Sequence, residues 1–260
     1  MIKKISIVSI IIIGTITLFA YMPKSPSRTN TLIVGTNAMY PPYESYNIGG
    51  AIEGFDIDIA HAIAQKLGKE LIIQDISFDS LILALKQGKI DIILSGMSIT
   101  KSRQAEIAMI PYQGKMVKQL ALAFWQKIPT GITSLENIAS SSDPTVSVQV
   151  GTYQEIYVSN LKGISVKSLE STTDLIMDLQ YGKSAATLLE PHIATVLKKK
   201  FPQLQVLPID LPENAWVLGN GIGINKQNHA LIKDIQNAVN ELKEEGVITQ
   251  YAQKWLEEKQ

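Results

Sequence analysis

The chain has 260 residues, 24 basic and 24 acidic side chains, 45% apolar residues and no cysteine. A net charge of zero carries no electrostatic footprint for a nucleic-acid partner, and the apolar content is too high for a disordered chain. Without cysteine there are no disulfides, thiol nucleophiles or cysteine metal sites. His61, His192 and His229 are too widely separated to form a metal-ligand spacing, so neither metal nor cofactor is expected.

The N-terminus departs from this ordinary composition. Lys3 and Lys4 precede an apolar stretch from Ile5 to Tyr21, then Pro23, Ser25, Pro26 and Ser27. That is the layout of a secretory signal, placed here at residues 1–24 with cleavage after Ala20 as one option. Export to the periplasm is expected. No cysteine follows the run, which excludes a lipid-anchored mature form.

From Thr31 the pattern alternates strand and helix. Thr31 to Val34 reads as a strand closed by Gly35-Thr36, and 37–53 as a long polar and aromatic loop. Residues 56–67 show helical periodicity. A strand follows at Leu71 to Ile76 and a helix at 79–87. The apolar run Ile90 to Leu94 is a buried strand that stops at Ser95-Gly96-Met97-Ser98, and Thr100 caps a helix holding Arg103. Lys115 to Trp125 is strand-like and 126–145 a polar linker. The order then restarts: strand 146–150, helix 153–161, strand 164–168, helix 173–181, strand 185–189, and a helix to Lys200. Val206 and Leu207 form a short strand, Gly221 to Ile224 another, and 228–257 a helical region broken at Gly246.

Val34-Gly35-Thr36 is echoed by Val150-Gly151-Thr152, and Gly88-Lys89 by Gly182-Lys183, with the same elements between. This internal repeat predicts two α/β lobes with parallel sheets covered on both faces. Ligands of such sheets sit at the carboxyl ends of the strands. Those ends carry Thr36, Asn37, Ser95, Gly96, Thr152 and Glu190.

The turn from Ser95 to Arg103 offers hydroxyls, backbone N–H groups and a guanidinium, the groups a carboxylate wants. A cation in the first turn of a helix is disfavoured unless an anion joins it, and a bound carboxylate would be that anion. Thr152-Tyr153-Gln154-Glu155 fits a capping box, and a cleft between the lobes would bring it to face Arg103. Glu190, ahead of Pro191, is an acceptor for a ligand ammonium. Arg103 and Glu190 would then hold the two ends of a zwitterion. Tyr40, Tyr43 and Phe78 are the aromatics nearest the strand ends, and two ring faces suit a flat cation. Asn37 and Glu44 are placed to reach that cation. Met97 in the first turn and Gln149 ahead of the second complete the candidate set.

Several ordered stretches carry a family resemblance: Leu32 to Glu44, Gly54-Phe-Asp-Ile-Asp-Ile-Ala60, Phe78 to Arg103, Val148 to Glu155, and Gly221-Ile-Gly-Ile224. Through them the chain resembles the periplasmic amino-acid-binding proteins that serve ABC importers, and among those the arginine-binding members. The resemblance implies a type II periplasmic-binding-protein fold: two doubly wound α/β lobes joined by two crossing strands, with 30–116 and 219–260 in one lobe and 117–218 in the other. It assigns Arg103, Ser98 and the backbone near Thr152 to the ligand α-carboxylate. It assigns Glu190, Ser95 and Gly96 to the α-amino group, Tyr40 and Phe78 to an aromatic sandwich, and Asn37 and Glu44 to the distal end. Glu190 is one methylene longer than the family's usual aspartate, Tyr153 stands where many members have threonine, and a cysteine pair of several basic-residue binders is missing. The implied protein is a monomeric, non-catalytic binder of an L-amino acid that docks on a membrane permease. Arginine is favoured over lysine, ornithine, histidine and glutamine. The competing readings are a cyclic-acid dehydratase on the same fold and a sensory or adhesion module.

Overall fold

The computed structural model describes residues 30–256, so the export segment read at 1–24 lies outside the described residues. The chain begins with β1 (Thr31–Thr36), β2 (Met39–Tyr40), β3 (Glu44–Tyr46), β4 (Ile52–Glu53), α1 (Phe55–Lys66) and β5 (Glu70–Asp75). A 3-10 turn at Phe78–Ser80 leads into α2 (Leu81–Lys86), β6 (Ile92–Ile93), β7 (Ser98–Ile99), α3 (Lys101–Glu106) and β8 (Ala108–Gln113). Then come β9 (Gln119–Trp125), α4 (Leu135–Ala139), β10 (Thr145–Gln149), α5 (Tyr153–Ser159), β11 (Ser165–Leu169), α6 (Thr172–Gln180), β12 (Ala186–Leu189), α7 (Pro191–Lys200) and β13 (Leu204–Asp210). The chain closes with β14 (Leu218–Ile224), α8 (His229–Glu244) and α9 (Val247–Trp255).

Two main sheets form. The first runs β5-β1-β6-β14-β7 with β8 also on β14, and the second runs β11-β10-β12-β9-β13. The repeat read from sequence is visible in the register. β1 lies parallel between β5 and β6, pairing Val34 with Ile92, and β10 lies parallel between β11 and β12, pairing Val146 with Ala186. The sheets are mixed rather than wholly parallel, because β14 runs antiparallel to β6 and β9 antiparallel to β12. β9 follows the first half of the chain but pairs in the second sheet; β14 follows the second half but pairs in the first. The two crossings, 114–118 and 211–217, meet where Val117 donates to the Val217 carbonyl at 2.8 Å.

Burial explains these elements. On β9, Leu120, Leu122 and Phe124 enter one core cluster, while Ala121 and Ala123 enter another on the opposite face. Period-two alternation with both faces apolar marks a central, fully covered strand. Each fully buried leucine or phenylalanine contributes about 1.5–3 kcal/mol. The loop expected at 37–53 is instead the meander β2-β3-β4, with Tyr40 opposite Glu44. The linker expected at 126–145 contains α4, where Leu135 and Ile138 bury one helix face at i, i+3 spacing. At the far end, the indole N–H of Trp255 and the ammonium of Lys254 both donate to Asp58 on α1 at 2.7 Å.

Candidate functional site

The strand end at Leu94 delivers the turn read from sequence. Gly96 adopts φ 52°, and a Cβ there would lie 3.0 Å from the Tyr40 ring. Glycine supplies both the left-handed backbone and the space. Thr100 caps α3 by accepting from the Arg103 amide at 3.1 Å, an arrangement that costs about 1 kcal/mol to remove. The cap turns the Arg103 side chain inward. Its Nη1 donates to the Ser98 carbonyl at 2.7 Å, its Nη2 to the Gly151 carbonyl at 3.0 Å, and its guanidinium sits 5.2 Å from the Phe78 ring centre. Burial lowers the Arg103 pKa to about 10, opposed by Glu190, so the group stays cationic at neutral pH.

The facing wall comes from the second sheet. Thr152 caps α5, accepting from the Glu155 amide at 3.3 Å and donating to the Gln149 carbonyl at 2.7 Å. The Glu155 carboxylate returns to the Gly151 amide at 2.7 Å, one residue ahead of the cap itself. Glu190 follows β12 as the N-cap residue of α7 and is only 5% exposed. Its Oε1 accepts from the Ser98 hydroxyl at 3.0 Å, and its Oε2 lies 3.5 Å from His192 Nδ1. The Tyr153 hydroxyl is buried beside Glu190. Burial, reinforced by Glu190, pushes its phenol pKa up, so it remains a donor.

Contacts close the cleft between the two walls. Besides Ser98–Glu190 and Arg103–Gly151, Gln149 Nε2 donates to Asn37 Oδ1 at 3.2 Å and Thr172 donates to the Met39 carbonyl at 3.0 Å. Between these contacts a narrow cleft remains. Tyr40, Phe78, Ser95, Gly96, Ser98, Arg103, Gln149, Thr152, Tyr153 and Glu190 line it.

Three residues of the candidate set are not in that lining, and Tyr43, also weighed from sequence, is 2% exposed and stacks on Tyr40. Asn37 sits one layer back, bonded to Gln149. Met97 is 1% exposed and packs with Leu81, Leu85 and Ile93 in the core. Glu44 lies beneath the turn, fully buried, accepting from the Ser95 hydroxyl at 3.0 Å. Beside it, buried Asp56 accepts from the Gly96 amide at 2.7 Å and from the Tyr112 hydroxyl. One of the turn's backbone N–H groups, that of Gly96, is therefore already engaged. Burial raises the Asp56 pKa to about 7, and burial together with Asp56 raises that of Glu44 well above the carboxylate range.

Gln154, Thr172, Leu175, Leu188 and Leu189 also line the cleft, although sequence reading did not single them out as site residues. The repeat held the signal for Thr172. It opens the helix after β11 as Phe78 opens the turn after β5.

Residues 32–258 match the family described as bacterial extracellular solute-binding proteins, family 3. A probable ABC transporter arginine-binding protein of Chlamydia trachomatis is 46% identical over 231 residues, covering 88% of this chain and 87% of that protein. An arginine-binding extracellular protein of Bacillus subtilis is 32% identical over 239 residues, covering 89% and 88%. Among solved structures, an ancestral arginine-binding protein bound to arginine matches with a TM-score of 0.79 and 28% identity, over 89% of this chain and all of that one.

Proposed function

The chain belongs to the bacterial extracellular solute-binding proteins, family 3, and from that premise we propose that it captures L-arginine for an ABC permease. It acts outside the cytoplasm after removal of residues 1–24, as a monomer and without chemistry of its own. The lobes are 30–116 with 219–260, and 117–218.

One observation carries the reading. A buried cation and a buried carboxylate, Arg103 and Glu190, approach from opposite walls and meet through Ser98, one at its carbonyl and one at its hydroxyl. An amino-acid zwitterion satisfies both charges at once. Arg103 with Ser98 and the α5 start takes the α-carboxylate. Glu190 with the Ser95 and Gly96 carbonyls takes the α-ammonium. Tyr40 and Phe78 flank the side chain, and Asn37 and Gln149 form the polar wall behind them, while Glu44 acts from beneath through Ser95 and Met97 supports the turn. Tyr153 replaces a smaller residue at the lip and presents a buried hydroxyl. Closure brings Thr152 and Glu190 over a ligand already held by Arg103.

The energies are sufficient. Micromolar affinity is about 8 kcal/mol. Bonds to charged groups supply about 1.5–3 kcal/mol each, and each cation–π contact about 0.5–2. A thermal-shift panel of L-amino acids tests the proposal, since ligand at a hundred times its Kd adds about 2.7 kcal/mol. Arginine gives the largest shift. A larger shift with a neutral amino acid overturns arginine, and no shift with any of them overturns the ligand class.

A further inference from the structure

Glu190 has a neighbour that the reading above does not use. His192, in the first turn of α7, places Nδ1 3.5 Å from Glu190 Oε2. Its ring stands edge-on to Tyr43 of the other wall, with centroids 5.3 Å apart. Nε2 is buried without a partner, although the side chain as a whole keeps 41% of its surface exposed. His192 is thus wedged between the carboxylate and the opposing half of the cleft, behind the lining.

We propose that His192 is a positioning residue for Glu190, holding its carboxylate when neutral and competing with the ligand ammonium for it when protonated. The inference rests on Glu190 being the ammonium acceptor. In the neutral ring, an N–H on Nδ1 steers Oε2 and leaves Oε1 to Ser98 and the ligand, with the full negative charge intact. In the imidazolium, a positive charge sits where the ligand ammonium needs a negative field, and its second N–H is buried with nothing to accept it. Both effects favour the neutral ring in the closed, loaded cleft.

The surroundings agree in direction. Burial lowers the His192 pKa below its ordinary 6.5, with Glu190 opposing. The titratable groups around the pair are Tyr43 against the ring, with Glu44 and Asp56 behind it, and Tyr40, Tyr153 and Arg103 around Glu190. Loading the ammonium beside Glu190 removes part of the field that supports protonation, so binding expels a proton. Affinity is then constant above the free-state pKa and falls below it, by up to about tenfold per pH unit.

Calorimetry with L-arginine on the full chain, between about pH 5 and pH 8 in buffers of different ionisation heat, tests this. Wild type weakens toward acid and releases protons on binding. His192→Gln, which keeps a donor but has no proton to gain in this range, loses most of that slope and of the proton release. Asp56 and Glu44 are present in both proteins, so the difference belongs to His192. Equal slopes in the two proteins, with arginine bound, overturn the inference and leave the ligand assignment standing. Failure of wild type to bind any L-amino acid at neutral pH overturns the ligand class and, with it, this inference. If His192→Gln does not fold, the three histidine ring signals of wild type are titrated by NMR with and without arginine. The His192 midpoint drops on loading, and an unmoved midpoint overturns the inference.

Discussion

Gly151→Ala tests the closed cleft directly. Gly151 has φ 75°, and a Cβ added there would lie 2.8 Å from the Asp79 Cα and 2.9 Å from its Cβ, across the cleft. The obstacle is backbone, which cannot swing aside as a flexible side-chain tip would. Two costs separate. The left-handed conformation costs an alanine about 1–2 kcal/mol whether the cleft is open or closed. The overpacking against Asp79 costs a further 1–3 kcal/mol by the usual scale of inserted methyl groups, and it falls on the closed form alone. At about 1.4 kcal/mol per tenfold, the second cost weakens arginine affinity by roughly 5- to 150-fold. Urea unfolding of the ligand-free, open protein reads the left-handed strain alone, calorimetry reads the affinity, and small-angle scattering reads the compaction on adding arginine. An unchanged Kd with normal compaction would refute the assignment of this contact to closure.

Other perturbations separate the parts of the site. Arg103→Ala removes two charge-assisted bonds to the ligand carboxylate, of about 1.5–3 kcal/mol each, so arginine affinity falls about 10²- to 10⁴-fold while circular dichroism retains the fold; an unchanged affinity takes Arg103 out of the site. Glu44 keeps its proton in the native state at pH values where an unfolded carboxyl has lost it, so it costs stability as pH rises above about 4.5. Glu44→Gln has no proton to lose, and its stability relative to wild type therefore improves from about pH 5 to pH 8; a constant difference would show Glu44 ionising normally. Trp255→Phe deletes the indole bond to Asp58 and lowers the urea-derived stability by about 1.5 kcal/mol, the lower end for a bond to a charged group that keeps a second partner, with arginine affinity unaltered.

Sequence order carried much of the cleft because its parts are local. A strand end, a cap and a first helical turn lie within a few residues, so the geometry that aims Arg103 inward is written between Ser95 and Arg103. The same holds for Thr152 and for Glu190 before Pro191. The repeat then placed the two walls face to face. Contacts between distant residues were not legible. Glu44 reads as a polar loop residue, yet its partner Ser95 is 51 positions away and its neighbour Asp56 belongs to a helix that reads as merely amphipathic. Met97 sits in a polar turn, but short β7 carries the chain back into the first sheet and its side chain joins the α2 core. The mixed sheets escaped because alternating strands and helices describe β1 to β6 and β10 to β12 well, while β9 and β14 change partners after the chain has crossed.

That exchange of partners sets an order of assembly. Every strand of the second sheet comes from one unbroken stretch, 119–210, whereas the first sheet lacks its strand between β6 and β8 until residues 218–224 exist. A chain growing from its N-terminus therefore completes the later half first. The earlier half waits with β1, β5 and β6 made but unfinished, until nearly all of the polypeptide has emerged.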